Sequence, residues 1–485
     1  MSPAIAPPSR ALYYALLSRI LLLSLIATWR LLFRPYDTSA SLNPPCLSSS
    51  SNQSQPSDQI LWPRVASAIE SSVVWDGVYF VRIAECGYEY EQTYAFLPLL
   101  PVAISLLSRS VFAPLVPLIG YRAVLALSGY MLSNTAFVLA TLYLYRLSNL
   151  ILKDSAAALR ASVLFCLNPA SIFYSSIYSE SLYALFSFGG LFHLFSGSST
   201  LAMIMLALSG SARSNGAVNA GYFCFMALMQ AISAVIQKKR PFLAVGALLV
   251  GFLRSVFIFA PFLVFQVYAY LNICQSGNSE KPRPWCQAKV PLLYGFIQSH
   301  YWGVGFLRYF QIKQLPNFLL ASPTISLALG SIMYYTRLLH DNLIQSSLLD
   351  FKERKRSSHS ISTSDGTVSS KGNKMLRQRR SERVLEESEP TMQISNQKKG
   401  SRENVILFLP FILHLAFMIF TAFFVMHVQV STRFLSASPT IYWFGSHVFA
   451  SQNSSSRKWG YLIMVYFIMY FLLGSLLFSN FYPFT

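Results

Sequence analysis

A chain of 485 residues that is 53% hydrophobic and only 12% charged is not an ordinary soluble domain, where about a quarter of the residues are charged. The net charge of +19 would suit a nucleic-acid binder, but its placement excludes that class. Thirteen of the 38 Lys and Arg residues crowd into 352–402, and most of the others flank apolar runs, as in membrane proteins.

The first apolar run, 11–33, carries Arg19 and Arg30 and is followed by no small-residue cleavage site, so it reads as a first transmembrane helix that is retained. A polar loop follows over 34–94. Residues 95–118 are apolar but carry Pro98, Pro101, Pro114 and Pro117, which predicts a broken or re-entrant helix packed inside protein. Further runs cover 124–145, 157–175, 180–196, 200–212, 217–236, 242–272 and 316–337, then 404–427, 437–450 and 459–480. Many approach the ~20 residues that cross a bilayer as a helix. The expected fold is an all-α polytopic membrane protein with about 10–12 transmembrane helices. Five regions follow: a first helix (1–33), a loop (34–94), a front membrane part (95–337), a polar basic insertion (338–402) and a back membrane part (403–485). The insertion is rich in Ser, Lys, Arg and Glu and poor in aromatics, the composition of a disordered linker.

Basic residues set the orientation. Lys153 and Arg160, Lys238 to Arg240, the 338–402 segment, and Arg457 with Lys458 are expected on the cytoplasmic side. The opposite, luminal side then receives 34–94, the turns near 176–179 and 213–216, loop 273–315 and segment 428–436. Of only 19 acids, nine lie in 341–403 and Asp154 lies in a cytoplasmic turn. The other nine are Asp37, Asp58, Glu70, Asp76, Glu85, Glu89, Glu91, Glu180 and Glu280, all on the luminal side. Acid–base chemistry on that face must draw mainly on them.

Trp75 to Glu85 reads as a short amphipathic helix at the membrane surface. It is either an aromatic anchor or a display of Asp76, Arg82 and Glu85 at head-group height. Glu180, near membrane depth among Ser and Tyr hydroxyls, either faces a cavity or belongs to a helix cap. Arg213, in Arg213-Ser214-Asn215-Gly216, can hold a phosphate or pair with Glu180. Arg308 and Arg433 are similar candidates, against the plain reading of Arg snorkelling at an interface. No P-loop, HExxH or GxSxG occurs, and no metal-ligand spacing is present. Of six cysteines, Cys166 and Cys224 fall in apolar runs; Cys274 and Cys286 flank one short loop and would pair if it faces an oxidising lumen. Two glycosylation sequons occur. Asn52 is a luminal candidate, and Asn453 falls on the cytoplasmic side and should stay bare.

The blocks WDGVYFVRIAECGYEYEQTYAFLPLLP, LNPASIFYSSIYSESLYAL, ARSNG, YWGVGFLRYF and MHVQVSTRFLSASPTIYW, spread in order over most of the chain, resemble the second mannosyltransferase of glycosylphosphatidylinositol (GPI) anchor synthesis, the PIG-V type. The Trp-Asp pair is shared by many related transferases; the other four blocks in combination are specific. The resemblance implies a GT-C fold with the active site on luminal loops of the endoplasmic reticulum membrane. It implies dolichyl-phosphate-mannose as donor and a GPI precursor lipid as acceptor, with inverting α-1,6 transfer of a second mannose. It leaves room for a small membrane partner subunit and implies neither metal nor cofactor. Asp76 matches the family's loop aspartate and takes the role of base. Trp75, Arg82, Glu85, Asn168, Pro169, Glu180, Arg213, Asn215, Trp302, Arg308, His427, Gln429 and Arg433, from the matching blocks, are substrate-binding candidates. A transporter would spread ionisable residues across the midplane of several helices, whereas here they concentrate in one extramembrane loop. A sister transferase with another acceptor, or a non-catalytic subunit, fits the Trp-Asp pair but is disfavoured by the remaining blocks and by Asp76.

Overall fold

Apolar stretches of this length satisfy their backbone only as helices once water is excluded, and the chain obeys. The structure is a computed structural model that describes residues 7–36, 46–47, 60–275, 283–361 and 406–484. Among the described residues every regular element is helical. The helices are α1 (Pro7–Leu32), α2 (Pro63–Ser71), α3 (Asp76–Cys86), α4 (Leu99–Arg109), α5 (Val116–Ile119), α6 (Tyr121–Leu152), α7 (Ser155–Cys166), α8 (Ser171–Ser175) and α9 (Glu180–Phe195). They continue with α10 (Ser199–Ala212), α11 (Ala220–Ile236), α12 (Pro241–Cys274), α13 (Leu293–His300), α14 (Leu315–Ile361), α15 (Leu409–Phe424), α16 (Ser431–Phe434), α17 (Pro439–Ala450) and α18 (Ser454–Leu477).

Among the described residues six helices are long and apolar enough to cross a membrane unaided: those containing α1, α6, α11, α12, α14 and α18. The protein is therefore polytopic and all-α. The expected ten to twelve crossings are not reached by length and composition alone. The remaining helices of the bundle, such as α7, α10 and α15, are apolar but only 12 to 16 residues long. Polar turns shorten them, and those turns are where the site lies. Helix α14 runs through position 338 as far as Ile361, so the basic segment begins as a continuation of a membrane helix. Most of that segment, and Asn52, Asp37, Asp58 and Glu280, lie outside the described residues.

Helix α6 is the centre of the bundle, packed by α1, α4, α7 and α9. Phe137 on α6 stacks on Phe165 of α7 at 4.9 Å, and Tyr174 of α8 meets both rings edge-on. Helices α4 and α5 are bent by 66° at a short break. Trp62 N–H donates to the Leu118 carbonyl at 2.8 Å and Arg122 pairs with Glu85 at 2.9 Å, so the segment returns to the end of the bundle it left. The break is the one the prolines predicted. Successive helices then alternate in direction. They leave Lys153, Lys238 to Arg240, Arg457 and Lys458 at the end opposite Asp76. Asn453 is at that end too, as the N-cap of α18, its side chain accepting from Ser455 N–H at 3.1 Å.

Candidate active site

Trp75 opens the site with a strained turn. Its φ of +53° and ψ of −131° fall in a region that residues with a side chain avoid at a cost of about 1–3 kcal/mol. The turn is held on both flanks. Trp75 Nε1–H donates to the Phe478 carbonyl at 3.2 Å, and Asp76 N–H donates to the Tyr178 hydroxyl at 3.0 Å. The result places Asp76 as the first residue of α3, where the helix dipole favours a carboxylate.

Three other segments bring their charges to the same point. Glu180 begins α9 and is 2% exposed. Arg213 ends α10 in extended conformation, and Gly216 just beyond lets the chain lie against α10, since a Cβ there would overlap the Ser209 carbonyl. Arg433 sits on the four-residue α16. Arg433 Nε lies 2.9 Å from Glu180 Oε1 and its Nη1 lies 3.3 Å from Asp76 Oδ2. Arg213 forms an ion pair with the same Glu180 oxygen. The Arg433 guanidinium also lies over the rings of Phe173 and Tyr178, at 5.2 and 5.4 Å.

These residues border a cavity of about 300 Å³, within the range of small-molecule sites. Asp76, Arg213, Asn215, Trp302, His427 and Arg433 line it. Burial pushes the Asp76 carboxyl above its ordinary value; Arg433 pulls it back, and Glu180 adds to the rise. Burial alone would lower the Arg433 guanidinium, but Glu180 and Asp76 outweigh it and hold the cation firmly protonated. Burial, reinforced by Asp76, also keeps the Tyr178 hydroxyl neutral, well above its ordinary range. The Asn215 amide is buried beside the cavity and has no hydrogen-bond partner among the described residues.

Other sequence candidates go elsewhere. Arg82 pairs with Glu89 at 2.7 Å and Glu85 with Arg122, so both fasten the loop and not the cavity. Asn168 caps its own turn, accepting from Ala170 N–H at 2.8 Å and donating to the Phe165 carbonyl at 2.7 Å, with Pro169 inside that turn. Arg308 is exposed and does not line the cavity. Gln429 accepts from Tyr309, whose ring stacks on His427 at 4.6 Å. Trp75 supports Asp76 from behind. Sequence reasoning missed Tyr294 and Gln298 on α13, which line the cavity; Tyr294 shares a 2.7 Å hydrogen bond with Ser214. Neither is charged, and only their place in loop 273–315, on the side expected to carry the acids, could have flagged them.

Both disulfides lie at the Asp76 end. Cys274–Cys286 is formed, and Cys46–Cys86, which the sequence left unpaired, ties the first loop to the end of α3. The latter accounts for the grouping of Cys46, Cys86 and Glu89, which would otherwise resemble a set of metal ligands.

A family model described as Mannosyltransferase (PIG-V) matches residues 9–485. The GPI alpha-1,6-mannosyltransferase 2 of Homo sapiens is 30% identical, over 85% of this chain and 87% of its own length. That of Cricetulus griseus is 29% identical over 98% of each chain, and the GPI mannosyltransferase 2 of Drosophila pseudoobscura pseudoobscura is 30% identical over 85% and 86%. No solved structure matches. The match runs nearly end to end and includes all four segments that meet at the cavity, so the chain belongs to the PIG-V mannosyltransferase family.

Proposed function

We propose that this protein transfers the second mannose, in α-1,6 linkage, from dolichyl-phosphate-mannose to a GPI precursor on the luminal face of the endoplasmic reticulum membrane, within a GT-C architecture. The observation that carries the reading is the meeting of Asp76, Arg433 and Arg213 on one cavity. Asp76 is the base. The acceptor hydroxyl oxygen attacks C1 of the mannose, the C1–O bond to phosphate breaks with its electron pair leaving on the phosphate, and Asp76 takes the hydroxyl proton. A single displacement of this kind inverts a β-linked donor to an α product. Arg213 and Arg433 stabilise the departing phosphate, which needs charge more than it needs an acid. Arg308 drops out of the set. The Asn215 amide is placed to bond a sugar hydroxyl.

The luminal orientation is supported by the two disulfides at the Asp76 end, since such bonds persist in oxidising compartments, and by the basic turns at the other end. The test is complementation of cells lacking the second GPI mannosyltransferase. Wild type restores surface GPI-anchored protein, and Asp76→Asn, equally expressed, does not. An expressed wild type that fails to rescue sinks the activity, and full rescue by Asp76→Asn removes the base.

A further inference from the structure

Glu180 is the most buried of the four charges and does not line the cavity. One of its oxygens faces both arginines, which arrive from segments 33 and 253 positions away in sequence. Neither arginine is held by a long helix. Arg213 follows the last residue of α10 and Arg433 stands on a single turn. The Glu180 carboxylate is therefore the group that brings two guanidiniums together against their mutual repulsion.

The two carboxylates hold Arg433 in different ways. Glu180 is buried and forms an ion pair 2.9 Å from Nε, whereas the Asp76 side chain is 36% exposed and accepts a 3.3 Å hydrogen bond from Nη1. An anionic phosphate entering the cavity competes first with the contact that is solvated and borders the cavity, the one to Asp76. Resting on the activity proposed above, we infer that Glu180 is a positioning residue: it anchors Arg213 and Arg433 so that a donor phosphate displaces Asp76, and not Glu180, from Arg433. Donor binding then frees the base at the moment it is needed. Without Glu180, Arg433 has only Asp76 as a carboxylate partner and the base stays locked in an ion pair.

The consequence is a displaced pH profile. The charged and titratable groups around Asp76 are Arg433 on α16, Glu180 on α9, Arg213 after α10, Tyr178 in the turn before α9, and Tyr294 and His427 across the cavity. Glu180 raises the Asp76 carboxyl and Arg433 lowers it. Removing the Glu180 charge subtracts the first influence and concentrates the second, so Asp76 becomes a weaker base that ionises at lower pH.

The experiment measures kcat, donor KM and the pH dependence of kcat/KM in membranes carrying full-length wild type, Glu180→Gln, Glu180→Asp and Asp76→Asn, with thermal unfolding in detergent as a folding control. Glu180→Gln is expected to lower kcat by about 10²-fold while donor KM changes by less than about 3-fold. Its acidic limb should move to lower pH, and Glu180→Asp should recover part of the rate. A folded Glu180→Gln with an unmoved acidic limb, or with its loss confined to KM, overturns the inference. An inactive wild type, or an active Asp76→Asn, strikes at the proposed activity instead, so the two failures are distinguishable.

Discussion

Arg19 and Arg433 each stand over aromatic rings, the first buried and the second half-buried, and they have opposite surroundings. Arg19 on α1 is 3% exposed and lies 3.8 Å above the ring of Phe137. Its guanidinium donates to the Cys166 and Ser171 carbonyls, both at 3.1 Å, and to the Ser171 and Ser175 hydroxyls. All these acceptors are neutral and belong to the end of α7 and to the short α8 that follows it. Arg433 stands over Phe173 and Tyr178, but its partners are carboxylates from two separate helices and a cavity lies beside it. The first arginine closes a gap in backbone hydrogen bonding where the chain leaves its helix inside the bundle. The second keeps charge facing a space where a ligand can enter. Burial of a cation does not separate a structural role from a functional one; the charge of its partners and the presence of a cavity do.

Exchanging the side chains would sharpen that contrast. Arg433→Gln should cost the most in turnover, about 10²-fold or more, because it removes a cation aimed at the leaving phosphate, and the fold should survive. Transfer rate in membranes, set beside the thermal midpoint, checks this, and an active Arg433→Gln would erase the distinction. Arg19→Met should show the reverse. Several acceptors lose their donor, costing about 2–4 kcal/mol of stability, while the rate per folded molecule stays within a few-fold. Comparable unfolding midpoints for Arg19→Met and wild type would contradict the structural reading. The smallest effect is expected from Arg308→Ala, an exposed residue away from the cavity, with activity within about twofold and stability within about 0.5 kcal/mol. A large rise in donor KM would return Arg308 to the site.

Much of the site was visible in one dimension, as polar islands between apolar runs. Glu180, Arg213 and Arg433 each stand between apolar runs, where an unpaired charge is too costly to keep without purpose, and Asp76 stands on an amphipathic stretch of the first loop. The pairing of Glu180 with Arg213 was one of two readings the sequence left open, and the structure makes that pair. Arg82 and Glu85 carried an equal sequence signal, yet Glu89 and Arg122 take them. Their helix face turns toward the loop and α6, a choice that depends on how α3 docks. Asn168 likewise spends both ends of its amide on its own turn.

By itself the sequence determined the membrane class, the all-helical backbone and the break in the proline-rich segment. Each of these follows from hydrophobic run length, proline geometry or local charge, which are properties of contiguous residues. Only the tertiary structure decided which of three arginines border the cavity, that Tyr294 and Gln298 join them, and that one glutamate holds two arginines. The Arg433–Asp76 contact joins positions 357 residues apart. Whether two such side chains meet depends on the packing of every helix between them, and no local pattern encodes that.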